Sequence, residues 1–431
     1  MADKSRQIAF MILRDVEEKK AYSNLALISS VRKYRPSNVP FVRELVYGTI
    51  RNAMYLDYII SNFVKTPIAS LKISDRLILR MGLYQLIFMY SVPDYAAVNE
   101  SVQLAKRYSR GHESFINGVL RQYLRDKEYV TLPDRSKDEV EYLSIKYSFN
   151  KWIVETWINQ FGEEEAEKLM QSLNETPRLC LRTNTLKISR EDLASRLLDN
   201  GYEVEIDSDF DDLLFVKGEK IVSGNLFESG MFSIMDKGSY TVSKSLGAKE
   251  GDTIVDACAA PGGKTTAMAT DMHDTGKIFA LDIYKRRVSL IDDEAKRLGL
   301  TIIETSCWDS TRIDSELIDI ADKVLVDAPC SGLGAVRRKP EIKYKEYDEE
   351  LENLPEKQLD ILKASSNYVK SGGILVYSTC TIDRRENENV VKAFLKSNRH
   401  FEVVERIQLL PSVDGTDGFF ICKMKRAERL I

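Results

Sequence analysis

The sequence predicts a multidomain protein: an all-α bundle, a small α+β module, then an α/β domain built on a mostly parallel sheet. Three observations predict it. Apolar residues recur at helical spacing through roughly the first 130 residues, without β-alternation. Strand-like runs alternate with helical patterns from about residue 238. Charge and glycine divide the same way: residues 1–140 carry 22 Lys+Arg against 15 Asp+Glu and 4 of the 22 Gly, whereas residues 141–431 carry 40 against 51. The formal net charge of −4 is therefore a basic segment of +7 joined to an acidic one of −11.

In the first segment, residues 5–18 place Ile8, Met11, Ile12 and Val16 on one side of a helix. Similar patterns cover 23–34, 41–63, 73–90, 96–109 and 113–127, with breaks at Pro67 and Pro93. Two basic clusters, Arg32-Lys33-Arg35 and Lys106-Arg107-Arg110, read first as solvated faces and second as phosphate contacts. Residues 133–136 form a linker, and helical spacing resumes over 138–174. A strand over 177–186 precedes a helix over 188–201 that Gly201 ends, with strand-like pieces near 202–206, 213–217 and 231–235. In the α/β segment, strands are expected at 252–257, 277–282, 301–305, 323–327 and 373–378, with helices over 284–298 and 355–370 and two more strands within 401–425. The expected segments are 1–135, 136–237 and 238–431.

Composition narrows the function. With 43% hydrophobic and 30% charged residues, the chain is neither disordered nor collagen-like. The start, MADKSRQIAF, shows no secretory signal, and no run approaches the ~20 apolar residues of a membrane span. A cytoplasmic protein is expected. Six scattered cysteines with no CxxC pair, and only three His, argue against a disulfide framework or a metal site. A monomer is expected, although no motif encodes the oligomeric state.

Ligands of doubly wound sheets bind beyond the carboxyl ends of the strands. The first such end reads Asp256-Ala257-Cys258-Ala259-Ala260-Pro261-Gly262-Gly263-Lys264-Thr265. Its glycines allow a tight turn and close backbone approach, and a helix should start near Lys264. Asp282 ends the second strand, nineteen residues after Gly263, the spacing of a ribose-binding acid. An ordinary strand–turn–helix junction would look much the same. The loop also nearly matches the phosphate loop GxxxxGK[ST], but Cys258 replaces the first Gly and Asp256 would repel phosphates. Asp256, Asp282, Asp309 and Asp327, near successive strand ends, suit a cationic cofactor such as S-adenosyl-L-methionine better. The fourth and fifth strands end in DAPCSGLG and YSTCT, which puts Cys330 and Cys380 at neighbouring strand ends. A single cysteine is most often a buried structural thiol. Two at one cleft suit addition of a thiolate to C6 of a pyrimidine, which makes C5 a nucleophile.

Together DACAAPGGKT, DAPCSGLG, YSTCT, VRRKPEIKY (336–344) and ENENVV (386–391) resemble the RNA cytosine-C5 methyltransferase family over about 238–425. PRLCLRTNTL and GMFSIMDKGS resemble its RNA-recognition-like subdomain. VPDYAAVNESVQLAKRYS and FINGVLR resemble a NusB-like helical domain, a fusion similar to bacterial 16S ribosomal RNA methyltransferases of the Sun/Fmu type. Two positions depart from the family pattern: Phe149-Asn150 where His-Pro is usual, and Met235 where Gln is common.

The resemblance implies a Rossmann-like class I methyltransferase domain and S-adenosyl-L-methionine as cofactor. It implies that Cys258, Ala259, Ala260, Pro261, Gly262, Gly263 and Lys264 surround the cofactor. Asp282 would bind its ribose, Asp309 would lie near adenine, and Asp327 would approach the methionine end and the reacting atoms. Cys380 would be the nucleophile and Cys330 the residue that assists release; DNA cytosine-C5 methyltransferases instead use the Pro-Cys thiol, here Cys330. Lys264 would either depress a thiol pKa or hold a carboxylate, while an ordinary cation at a helix start would read the same. Arg337 and Arg338 would contact RNA phosphate. The implied partner is 16S ribosomal RNA, at cytosine 967 in that RNA's numbering. The competing reading is an RNA-binding, antitermination-like factor with an inactive methyltransferase half.

Overall fold

The computed structural model describes residues 3–218 and 221–428; the outer ends of the expected first and last segments lie outside them. The chain forms two compact units, Met1–Glu175 with Val336–Glu346, and Thr176–Ala335 with Tyr347–Ile431.

The first unit is helical. Helices run over Lys4–Lys19, Ser23–Tyr34, Val39–Arg51, Ala53–Ser61, Ile73–Phe88, Asp94–Tyr108 and Glu113–Asp126. The helix Ile73–Phe88 buries Leu77, Ile78, Leu79, Met81 and Leu83, more than one face, as a central helix must. It packs among Ile8, Leu45, Leu56 and Leu120 of its neighbours. The single pattern expected over 41–63 is two helices. Asn52 leaves the helical region (φ −112°, ψ 18°), and its side-chain amide donates to Gly48 O at 2.9 Å. Residues 138–174 form three more helices, Glu139–Tyr147, Lys151–Phe161 and Glu163–Leu173. They pack with the bundle, where Ser148 Oγ accepts from Tyr55 N at 2.9 Å.

A segment from far along the chain completes this unit. Residues 336–346 thread into it, and Lys343 is fully buried there. Its Nζ donates to Arg51 O, Tyr147 O and Asn174 Oδ1, each at 2.6 Å. It also lies 4.3 Å from the centroid of the Phe149 ring. Burial, then the Arg51 guanidinium, push the Lys343 pKa well down. Three acceptors and an aromatic face oppose that push by stabilising the ammonium form. Tyr344 fills the gap at Asn52: its hydroxyl donates to Ile50 O and accepts from Ala53 N at 3.1 Å. Glu341 caps the helix Ser23–Tyr34 by accepting from Ser23 N at 3.1 Å and Ser23 Oγ at 2.7 Å.

The second unit holds two sheets. Strands β1 (Leu179–Thr183), β2 (Glu203–Ile206), β3 (Leu213–Lys217) and β4 (Phe232–Ile234) form an antiparallel sheet in the order β2-β3-β1-β4. The helix Arg190–Asp199 packs on it through Leu193 and Leu197. Seven strands follow: β5 (Thr253–Asp256), β6 (Lys277–Asp282), β7 (Ile303–Cys307), β8 (Ala321–Asp327), β9 (Val369–Thr379), β10 (Phe401–Leu409) and β11 (Phe419–Arg426). Their order is β10-β11-β9-β8-β5-β6-β7. Strands β5 to β9 pair in parallel, and β10 and β11 add an antiparallel edge. One face packs against Leu246, Met268 and Met272, the other against Ile361, Leu362 and Phe394. Burial on both faces is what a parallel sheet requires. The order reverses between β5 and β8, so the site should lie past their carboxyl ends.

Removing the Lys343 ammonium strips the donor from three acceptors at once. Lys343→Ala should cost about 3 kcal/mol or more. The Tm should fall by roughly 6 °C or more in a calorimetric melt; an unchanged Tm would show that the inserted segment does not hold this unit together.

Candidate active site

The loop after β5 is shaped by glycine and by its neighbours' carbonyls. Gly262 adopts φ +102°, a left-handed turn that a side chain resists, and the helix Gly263–Asp271 begins directly after it. Ala259 N donates to Leu281 O at 2.8 Å, which ties the loop to β6. The Ala260–Pro261 bond is cis. Arg287 braces the far side, donating to Ala260 O at 2.8 Å and lying 3.4 Å from Asp282 Oδ2.

Carboxylates surround this loop. Asp256 is 1% exposed; its Oδ2 accepts from Thr265 Oγ1 at 2.7 Å, and its buried Oδ1 has no hydrogen-bond partner. Burial pushes its acid up to about 7, against the Thr265 hydroxyl that pulls it down. Asp282 is buried at the end of β6, where its Oδ1 accepts from Tyr284 N at 3.1 Å. Asp309, two residues past β7, accepts from Thr311 Oγ1 at 2.8 Å and Thr311 N at 3.1 Å; the hydroxyl bond first, then the amide, holds it below the usual range. An orphaned carboxylate oxygen and buried acids beside a glycine turn fit a ligand that brings positive charge. They do not fit a phosphate.

Lys264 confirms this. In a phosphate loop its ammonium would face the phosphates. Here Nζ donates to Asp327 Oδ2 at 2.7 Å, beside the Phe419 ring at 5.1 Å. Burial alone would lower its pKa; the Asp327 carboxylate outweighs that and holds it up. Of the arrangements expected for Lys264, the contact with a carboxylate is the one seen in its geometry. The nearby Cys380 sulfur adds to that upward push.

Asp327 joins the two cysteine loops. Strands β8 and β9 pair with Asp327 opposite Ser378, and Ser378 Oγ donates to Asp327 Oδ1 at 2.8 Å. This register carries both chains past the sheet together, and Cys330 Sγ lies 3.2 Å from Cys380 Sγ. The hydrogen bond with Cys380, then burial, raise the Cys330 pKa well above a free thiol, and Glu386 and Asp327 add to it. These influences favour the neutral thiol at Cys330. Burial also pushes the Cys258 thiol pKa up, toward the neutral form.

Several residues that build this site carried no assigned role in the sequence. Glu386 accepts from Ser331 N at 2.8 Å and Gln358 Nε2 at 2.9 Å, which fastens the Cys330 loop. Asn387 accepts from Thr379 Oγ1 at 2.5 Å and donates to Thr381 O at 3.1 Å, which fastens the Cys380 loop. Ser331 Oγ and Thr381 Oγ1 bridge the two at 2.8 Å. Gly334 N donates to Cys380 O, and Gly418 N to Gly334 O, both at 2.9 Å. A Cβ on Gly334 would sit 2.0 Å from Gly418 O, so only glycine permits this approach. The signal for Glu386 and Asn387 was the motif ENENVV itself.

The structure brings together Lys264, Asp327, Cys330 and Cys380, with the 258–263 loop at the end of the adjacent strand. Arg337 and Arg338 belong to the segment packed in the helical unit. Arg337 is 6% exposed, so burial takes its guanidinium off the open surface, whereas Arg338 is partly exposed. The two departures from the family pattern, Phe149 and Met235, are both buried packing residues. All six cysteines are free thiols. Among the described residues no helix is long and apolar enough to cross a membrane, and no group of three His, Cys, Asp or Glu is placed to hold a metal.

Comparison with known proteins agrees with this layout. Residues 243–425 match the model of the 16S rRNA methyltransferase RsmB/F family, residues 3–125 the NusB family, and residues 149–222 the ferredoxin-like domain of RsmF/B-like methyltransferases. The chain is 39% identical to a probable ribosomal RNA small subunit methyltransferase B of Bacillus subtilis, covering 98% of each chain. It is 34% identical to a protein of the same description from Synechocystis, covering 98% of this chain and 99% of that one. Among solved structures, PH0851 superposes with a TM-score of 0.85 at 26% identity over 99% of both chains. NSun6 from Pyrococcus horikoshii, solved with SFG, has a TM-score of 0.60 at 25% identity over 65% of this chain and 99% of that one. The chain belongs to the RsmB/F family of 16S rRNA methyltransferases.

Proposed function

We propose that the protein methylates C5 of a cytosine in 16S ribosomal RNA, cytosine 967 in the RNA's numbering, through a covalent bond from Cys380 to C6. The observation that carries this reading is the pair of thiols 3.2 Å apart at neighbouring strand ends, beside a loop suited to a cationic cofactor. S-adenosyl-L-methionine, when bound, supplies an electrophilic methyl group. Cys258 to Lys264 line its place with backbone groups, Asp282 takes the ribose, and Asp309 lies toward the adenine. Asp256 and Asp327 favour the positive charge of the methionine end.

The protein's own residues handle the base, which must leave its stack to reach a thiol. Cys380 attacks as the thiolate. Lys264, already held by Asp327, places its positive charge where that thiolate feels it. The new S–C6 bond pushes electrons to C5, which takes the methyl group. Two thiols this close hold a single negative charge between them. Once Cys380 sulfur is bonded to carbon, its charge is gone and Cys330 can ionise, giving its proton to solvent. The Cys330 thiolate then removes the C5 proton, the C5–C6 double bond re-forms, and the S–C6 bond breaks to return the Cys380 thiolate. RNA phosphate is met by the basic residues, Arg338 among them, while buried Arg337 is the weaker candidate.

Two substitutions separate the thiols' roles. Cys380→Ala should abolish 5-methylcytosine formation, read by mapping the modified base in 16S RNA. Cys330→Ala should leave attack intact and stall release, so a denaturation-resistant protein–RNA adduct should accumulate. Normal methylation by the Cys380→Ala protein would sink the assignment; an adduct formed by that protein would transfer it to Cys330.

Asp256 gives a pH signature. Its folded acid is raised from an ordinary 3.8 to about 7, so its charge destabilises the fold. That penalty is absent below about pH 4 and complete above about pH 7. Asp256→Asn keeps an acceptor for Thr265 and removes the penalty. The Tm of Asp256→Asn minus that of the parent should therefore rise between about pH 4 and pH 7 and level off above that. Calorimetry should show weaker S-adenosylmethionine binding to the same variant. A pH-independent Tm difference would refute the buried-charge reading.

A further inference from the structure

The first basic cluster, Arg32-Lys33-Arg35, has no part in the site above. The structure gives it a setting. The helix Ser23–Tyr34 packs inward through Leu27, and its outward side is unusually bare. Tyr22 at its N-terminus is 52% exposed, Leu25 59% and Ile28 64%. Arg32 continues the stripe at helical spacing, Arg35 follows it just past the helix end in a left-handed turn, and both are exposed. One rim of a helix thus runs from an aromatic ring through two apolar side chains to two guanidiniums. It spans about 15 Å from Tyr22 to Arg32.

The inserted segment supplies the missing charge at the aromatic end. Lys339 is exposed, and its Nζ lies 5.7 Å from the centroid of the Tyr22 ring. This neighbourhood is fixed from below, because Glu341 grips Ser23 through backbone and side chain and Lys343 anchors the segment in the core. An exposed aromatic with cations at both ends of an apolar rim is the layout that single-stranded nucleic acid needs. Bases stack on the ring and rest on the apolar side chains, and phosphates meet the cations. The unit's net positive charge favours the same partner.

We propose that Tyr22, Leu25, Ile28, Arg32, Arg35 and Lys339 form a contact surface for single-stranded ribosomal RNA, with one base stacked on Tyr22 and phosphates at Lys339 and Arg32. The proposal rests on the family's rRNA substrate, not on the roles of the two cysteines. The surface serves affinity and leaves the chemistry to the other unit.

The test uses the full-length protein and a labelled 16S rRNA transcript, with binding read by anisotropy across a salt series. Lys339→Ala should lower the slope of log K against log salt by about 0.7–0.9, the share of one phosphate contact. Lys339→Arg should restore it. Tyr22→Ala should weaken binding roughly 5- to 100-fold, the loss of one stacked base, with the slope unchanged. Tyr22→Phe should retain affinity, and Tyr22→Leu, which keeps the apolar bulk if Ala disturbs the fold, should not. Calorimetric binding of S-adenosylmethionine should match the parent in every variant, which separates a lost RNA contact from a damaged methyltransferase unit. Parental affinity and slope in both Ala variants would overturn the proposal. So would a phosphate effect without a stacking effect, or unchanged binding to naked RNA with weakened binding to the 30S particle, which would assign the surface to a ribosomal protein.

Discussion

The site depends on one constraint, the register of two parallel strands. Asp327 faces Ser378 across β8 and β9, and the hydrogen bond between their side chains locks that pairing at its last rung. A slip of one residue would turn every side chain to the opposite face of the sheet. It would separate Cys330 from Cys380 and take Asp327 away from Lys264. The loops beyond the strands are then fixed by groups that belong to neither cysteine motif. Glu386 holds one loop, Asn387 the other, and Gly418 closes against Gly334. The close placement of the two thiols is thus a property of the strand register more than of the cysteines' immediate neighbours.

Electrostatics explains why burying so many acids near one loop is tolerable. Asp327 is neutralised by Lys264, and Asp282 lies near Arg287. Asp256 has no cation of its own and relieves the strain by holding its proton nearer neutral pH. The one acid left uncompensated is the one beside the glycine turn. Binding of a cationic ligand there is favoured because it corrects a deficit already built into the fold.

The strand–helix alternation of the methyltransferase half was legible because parallel strands buried on both faces leave continuous apolar runs, such as Val324–Val326 and Ile374–Tyr377. The glycine turn and both cysteines were legible for a different reason: a strand end followed by Gly, Pro and Cys has few structural explanations. Less could be read where contacts are long-range. Nothing near Asn52 in sequence announces that Tyr344 will fill the break beside it. Lys343 looks like a surface lysine in KPEIKYKE, yet its partners lie 292, 196 and 169 residues away. A basic run on paper likewise gives no sign of which members turn inward, as Arg337 does.

The inserted segment also sets an order of events during synthesis. Asn174 leaves the ribosome 169 residues before its partner Lys343. At synthesis rates of about 5–20 residues per second that interval is roughly 10–30 s. Throughout it, the helical unit has all its helices but lacks the ammonium that ties Arg51, Tyr147 and Asn174 together, and the tyrosine that plugs the break at Asn52. The N-terminal unit is therefore first to be made and among the last to be finished. A nascent chain stopped before Pro340 would present a loosened bundle, a built-in mark of incompleteness that proteases and chaperones can read.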